Sequence, residues 1–209
     1  MTATRSDAAL LLPDATVRRL LPLARATSGE TDATASPLDG SHLADVPQST
    51  LDDVDAAFAS ARAAQPAWAE LGASERGRRL LAFHDLLLAA QAELADVIVA
   101  ESGKARKDAV EEVFHLAMTA RYYGQYAAGF LRPQRRRGVF PGLTRIDVHH
   151  HPKGVVSVIS PWNYPLTMAM ADGLAALAAG NAVVAKPDAL TVLTALAGLE
   201  LLRRAGVPD

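Results

Sequence analysis

Val155-Val156-Ser157-Val158-Ile159-Ser160-Pro161-Trp162-Asn163-Tyr164-Pro165 decides the fold. Four of its first five residues are β-branched, a composition suited to a buried parallel strand. In the segment that follows, Pro161 and Pro165 remove amide donors and impose a rigid turn. Pro165 also suits the first turn of a helix. Leu166 to Ala179 is then apolar nearly all round, as expected of a helix covered on both sides, and Gly180-Asn181 closes it. Ala182-Val183-Val184-Ala185-Lys186 reads as the next strand. The unit spans about thirty residues, the usual size of a strand–helix–strand crossover. A further helix, Ala189 to Ala205, stops at Gly206 with Pro208 beyond it. The pattern is half of a dinucleotide-type α/β fold. Ligands on such sheets gather at the carboxyl ends of the strands, where the Ser160 to Asn163 loop and Lys186 both fall. Taken singly, each residue also has a plainer role: Trp162 in packing, Asn163 as a cap, Lys186 as an exposed strand end.

Upstream, the pattern is helical. From Thr50, with Ser49 or Thr50 as the cap, Leu51, Val54, Ala57, Phe58 and Ala61 share a face, and Pro66 lies near the helix end with Trp68 packed beneath it. A second helix is predicted near Ser74, whose hydroxyl takes an unpaired amide; its apolar face carries Leu80, Leu81, Phe83, Leu87, Leu88 and Leu94. Asp96 to Glu101 continues or restarts it, and Gly103 ends it. A third helix, Lys107 to Phe130, carries Val110, Val113, Phe114, Ala117, Met118, Tyr122 and Tyr126. These three form a packed layer over residues 50–131. Residues 1–49, rich in Ala, Thr, Ser, Asp and Pro, read as a loosely ordered leader. Residues 132–153 read as a connector and strand, with Arg135-Arg136-Arg137 solvated.

Composition excludes several classes. The formal net charge of -2 gives no general attraction to nucleic acid or anionic membrane. No apolar run approaches the roughly 20 residues of a membrane span, and the longest contains Asp172 and Gly173. The apolar run Ala8 to Leu12 is too short for a signal peptide, so a cytoplasmic location is expected. Ser102-Gly103-Lys104 lacks the earlier glycine and the following Ser or Thr of a phosphate loop. His149-His150-His151 reads as a strand end, since neighbours in a strand point to opposite faces and cannot converge on one metal. No metal site is expected. The absence of cysteine removes disulfides and thiol nucleophiles together.

Pro152-Lys153-Gly154-Val155-Val156, Ile159 to Pro165, Ala178-Ala179-Gly180-Asn181 and Lys186-Pro187, in this order and spacing, resemble the aldehyde dehydrogenase superfamily. Glu101-Ser102-Gly103-Lys104 extends the resemblance back, to cover residues 50–209. The closest wording is that of NAD(P)-dependent succinate-semialdehyde dehydrogenases. The resemblance implies an α/β fold: an amino-terminal helical layer plus the first half of a Rossmann-like parallel sheet. The leader is then similar to the short amino-terminal strands of many members.

In that family a cysteine thiolate attacks the aldehyde, hydride passes to NAD or NADP, and a glutamate-activated water releases the acid. By the match, Asn163 donates its amide to the oxyanion, Ile159, Ser160, Pro161 and Trp162 line the cofactor, and Lys186 bonds the adenosine ribose. Asp188 lies along the same edge. Ala189 stands where NAD-preferring members often place a glutamate, which leaves both NAD and NADP open. Ala171 stands where some succinate-semialdehyde enzymes place an arginine. The resemblance implies a small-molecule aldehyde as partner, neither nucleic acid nor membrane, and a homo-oligomer for the complete protein. The nucleophile cysteine and general-base glutamate of the family find no match, so the chain is expected to be a fragment, inactive alone. The alternative is a non-catalytic protein that binds a nucleotide or another subunit.

Overall fold

The computed structural model describes Ala8 and residues 11–140 and 142–208. The start of the expected leader, residues 1–7, 9 and 10, lies outside the described residues, as does Asp209. From Leu11 onward the leader is not loose. It forms α1 (Asp14–Leu20), a 3-10 turn (Leu21–Leu23) and an antiparallel pair, β1 (Thr31–Ala35) with β2 (His42–Pro47). Leu12, Leu20, Ala44 and Val46 from this segment enter the main core. The turn-forming clusters in the segment turn out to be the joints of short elements, because the apolar residues between them find the helical layer. Ser36 shows the same docking, donating its hydroxyl to the carbonyl of Ala100 at 2.7 Å.

The helical layer follows as α2 (Leu51–Glu70), α3 (Gly72–Ala89), α4 (Gln91–Ser102) and α5 (Arg106–Leu131). Thr50 caps α2 in a capping box with Asp53, as the pattern predicted for one of its two candidates. Two details differ from the sequence reading. Helix α2 runs through Pro66 to Glu70, and α3 begins at Gly72 with no side-chain cap, so Ser74 sits inside it. The expected inner face of α2 holds only toward its far end: Ala61 and Trp68 are buried as expected, whereas Leu51 and Val54 in the first turn are 84% and 43% exposed. Gly103, with φ 67°, ends α4 in the left-handed conformation as expected. Helices α3 and α5 approach closely through a glycine pair. A methyl group at Gly77 would lie 2.5 Å from the carbonyl oxygen of Gly124.

The expected connector and strand is a hairpin, β3 (Gln134–Arg137) paired antiparallel with β4 (Arg145–Val148). The arginines of β3 are exposed, as expected, but they ride on a paired strand. The histidine run follows β4 outside any regular element rather than ending the strand, and no cluster able to hold a metal occurs among the described residues. No helix among them is long and apolar enough to cross a membrane.

The crossover has the predicted order, β5 (Val155–Ile159), α6 (Pro165–Ala178), β6 (Ala182–Lys186), a 3-10 turn (Ala189–Thr191) and α7 (Val192–Arg204), but its strands are less buried than expected, with Val158 alone buried among their residues. Strands β5 and β6 are parallel, with Val155 opposite Ala182 and Ile159 opposite Lys186. Asn181 fixes the start of this pair. Its Oδ1 accepts the amides of Lys153 and Gly154 at 2.6 and 3.0 Å, and its Nδ2 donates to Ala176. Ten of the fourteen residues of α6 are buried, which accounts for its all-round apolar sequence.

Candidate functional site

The two parallel strands end side by side, and every residue that the sequence assigned to a site lies on that end. Ile159 is the last residue of β5 and Lys186 the last of β6, and they are opposite each other in the ladder. The amide of Ser160 donates to the carbonyl of Lys186 at 3.2 Å, which carries the pairing one residue past β5. The chain then turns through Pro161, Trp162 and Asn163. Tyr164 stands at the cap of α6 with φ -131° and ψ 68°, outside the helical region, and Pro165 opens the helix. Such a turn needs residues without a strong demand for ladder bonds, and the two prolines supply them.

The side chains divide into exposed and buried. Ile159 is 77% and Trp162 52% exposed, and Pro161, Asn163 and Lys186 are exposed as well. Asn163 has no hydrogen-bond partner among the described residues, so its amide is available to an acceptor. Among the described residues the Lys186 ammonium reaches only the carbonyl of Pro187, at 3.5 Å. Ser160 differs: it is buried, and its role at this edge is the backbone bond to Lys186. The Asp188 carboxylate accepts the amide of Leu190 at 3.0 Å and caps the 3-10 turn, while Ala189 is exposed and uncharged.

Behind this edge lies a second set of residues whose role the sequence reading did not assign. Glu112 is buried, and its Oε1 accepts the amides of Leu166 and Thr167 at 2.8 and 3.0 Å, on the first turn of α6. Its Oε2 pairs with the ammonium of Lys104 at 2.5 Å. That ammonium also lies 4.2 Å from the centre of the Tyr164 ring. Glu101 does for α7 what Glu112 does for α6, accepting the amides of Leu193 and Thr194 at 2.8 and 2.7 Å. Burial pushes the Glu101 carboxyl up to about 7, against the opposing pull of its hydrogen bonds from Thr194 and Leu193. The sequence signal for Glu112 is its position on the buried stripe of Ala109, Val113, Leu116 and Ala120. A carboxylate on such a stripe requires a partner.

At the far end of α6 the charges reverse. Arg76, buried and held below the usual guanidinium range by desolvation, donates to the carbonyls of Ala178 and Ala69 at 3.1 and 2.7 Å. Trp68 and Gln65 donate to Leu177 and Gly180. Carboxylates at amino ends and a guanidinium at a carboxyl end match the helix dipole. The turn bearing Asn163 is therefore joined to a helix fixed at both ends.

The family model described as "Aldehyde dehydrogenase family" matches residues 24–209. The "Putative succinate-semialdehyde dehydrogenase (NADP(+))" of Mycolicibacterium smegmatis is 48% identical over 169 residues, 81% of this chain and 33% of that protein. The mitochondrial succinate-semialdehyde dehydrogenase of Arabidopsis thaliana is 40% identical over 83% of this chain and 32% of its own length. Among solved structures, the NADP-dependent glyceraldehyde-3-phosphate dehydrogenase of Bacillus halodurans, complexed with NADP, superimposes with a TM-score of 0.83 at 32% identity, covering 88% of this chain and 40% of that one. The chain spans about a third of the length of the curated relatives it matches. With the β5–α6–β6 geometry, these matches show that the chain belongs to the aldehyde dehydrogenase family.

Proposed function

We propose that these residues form the oxyanion-donor and nucleotide-holding half of an NAD(P)-dependent site that oxidises an aldehyde to a carboxylic acid. The observation that carries this reading is the exposed, unpaired Asn163 amide on the turn after β5, beside the strand edge that ends in Lys186. When a nucleophile adds to an aldehyde carbonyl, negative charge collects on the oxygen. A neutral amide aimed at that oxygen stabilises the charge without having a proton to lose, and removing such a donor typically costs about 100- to 1000-fold in rate.

The residues of the edge fit a dinucleotide. Lys186 has an ammonium free to donate to a ribose hydroxyl or a phosphate, and Ile159 and Trp162 offer apolar surface beside it. Ala189 places no carboxylate there, so a 2'-phosphate meets no repulsion from that position, and Asp188 leaves the choice of nucleotide open. NADP is thus accepted as well as NAD, in keeping with the NADP in the names of relatives. When bound, the nicotinamide supplies the hydride acceptor. Ser160 acts through its backbone, keeping the two strand ends together. The thiol nucleophile is not among these residues, which contain no cysteine.

The names of relatives make succinate semialdehyde the first aldehyde to try. The homo-oligomer of this reading is supported by exposed apolar surface on the β3–β4 hairpin, where Val139, Phe140 and Leu143 are 80%, 62% and 88% exposed. The test is aldehyde-dependent reduction of NADP by the native protein carrying these residues, isolated from its source. Turnover that falls about 100-fold or more in Asn163→Ala supports the reading. Nucleotide binding without turnover, unchanged by that substitution, favours a non-catalytic nucleotide-binding role instead.

A further inference from the structure

Asn163 lies one residue before Tyr164, and the Tyr164 side chain is 53% exposed. Glu112 fixes the next turn, but both of its oxygens are used: Oε1 by Leu166 and Thr167, Oε2 by Lys104. What reaches further toward Asn163 is the Lys104 ammonium, which stacks 4.2 Å from the Tyr164 ring centre. Its side chain is only 14% exposed and that of Glu112 is fully buried, so the charge is largely shielded from solvent. Lys104 itself follows Gly103, the left-handed end of α4, and precedes α5. It is therefore anchored in the helical layer at the junction of two long helices.

We propose that Lys104 is a positioning residue for Asn163: its ammonium, seated on Glu112 and over the Tyr164 ring, holds the Trp162 to Tyr164 turn in the geometry that presents the Asn163 amide. The inference rests on the reading of Asn163 as the oxyanion donor. Lysine suits the task because its flexible stem lets one compact charge meet a carboxylate and a ring face together. Arginine can do both as well, with a planar head. Methionine fills the stem but carries no charge.

The test begins with the chain itself. Its four lysines are Lys104, Lys107, Lys153 and Lys186, so lysine-selective labelling resolves each one by nuclear magnetic resonance. The Lys104 ε-methylene should be shifted upfield by the ring, and Tyr164→Leu should abolish that shift. Lys104→Met should lower the backbone order parameters of Trp162, Asn163 and Tyr164 from the rigid value of about 0.85 to about 0.6 or below, with helical circular dichroism kept. Lys104→Arg should restore the rigid values. If Lys104→Met does not fold, Tyr164→Leu removes the ring and leaves the buried ion pair, and the same lowered order parameter at Asn163 is expected. In the native aldehyde-oxidising protein, Lys104→Met should lower kcat roughly tenfold with the KM for nucleotide unchanged, and Lys104→Arg should recover it.

An unchanged order parameter at Asn163 in both Lys104→Met and Tyr164→Leu overturns the proposal, as does failure of Lys104→Arg to rescue. The two readings fail separately. An Asn163→Ala protein with full turnover sinks the donor reading, and with it the catalytic meaning of the clamp, even where the order-parameter results hold. An inactive Asn163→Ala beside a fully active Lys104→Met sinks the clamp alone.

Discussion

The carboxylate of Glu112, in the middle of α5, accepts the backbone N–H of Leu166 at the start of α6 at 2.8 Å. Glu101 on α4 repeats the arrangement at the start of α7. Two guanidinium groups from α3 complete it: Arg76 at the carboxyl end of α6 and Arg79 at that of α7, where it donates to Gly206 at 2.5 Å. Both helices next to the strand pair are thus gripped at each end by a side chain of the helical layer whose charged form complements the helix dipole. This gives that layer a function beyond burial. It sets where β5 ends and α6 begins, and that boundary carries Asn163.

Removing the Glu112 grip should be costly. Glu112→Ala leaves the Lys104 ammonium shielded and unpaired and strips two amides of their acceptor, so a loss of about 3 to 5 kcal/mol is expected. Glu112→Gln keeps one acceptor and should cost about half as much. Denaturant unfolding of the three proteins checks the order. Equal stability would contradict it.

Glu101 predicts a pH dependence. Its carboxyl stands at about 7 in the folded chain because burial opposes ionisation, against an ordinary value of 4.5. Between these values the native state retains a proton that the unfolded chain has released. Stability contributed by this group should therefore fall as pH rises from about 4.5 to about 7. Melting temperature followed across that window should show a slope that Glu101→Gln flattens. An identical slope in the variant would show that other groups cause it.

Asp53 predicts the opposite limb. The amides of Thr50 and Thr27, then the Thr27 hydroxyl, hold its carboxyl down at about 2, below the ordinary 3.8. Its stabilising contribution is present above 3.8 and is lost as pH falls through about 2. Acid unfolding of Asp53→Asn should be less steep over this range than that of the unmodified chain. Thr50→Ala, which breaks the same capping box, should cost about 1 kcal/mol at neutral pH.

The closest helix contact makes a separate prediction. A methyl group at Gly77 meets the Gly124 carbonyl oxygen at 2.5 Å, and backbone cannot move aside as a flexible side chain can. Gly77→Ala should force α3 and α5 apart and destabilise the chain by about 1 to 3 kcal/mol, despite the better helix propensity of alanine. Gly129→Ala on the same α5, with open space around it, should be neutral or stabilising. Unfolding midpoints that move together would contradict the packing account.

Where local pattern and tertiary environment agree, the sequence was legible. The β5–α6–β6 crossover, the Thr50 cap and the Gly103 stop were each readable because a few neighbouring residues determine them. The strand-end placement of Ile159, Asn163 and Lys186 followed from the same crossover. The leader was misread because its short elements depend on partners far along the chain, such as Ser36 on Ala100. Leu51 was misplaced because helical spacing does not say how far along a helix its apolar face stays covered: Ala61 of that face is buried, while Leu51 in the first turn is not. The roles of Glu101, Lys104 and Glu112 were hidden for a related reason: their partners are 54 to 93 residues away, or across a helix junction.

The most direct test of the central claim is a titration of the chain with NADP, followed by the fluorescence of its two tryptophans and repeated with Lys186→Met and Asn163→Ala. Saturable binding that weakens at least about tenfold in Lys186→Met, the loss of one charge-assisted bond, and is unaltered in Asn163→Ala is the result expected of a strand-end nucleotide edge with a separate oxyanion donor. Binding that is absent, or indifferent to Lys186, would contradict it.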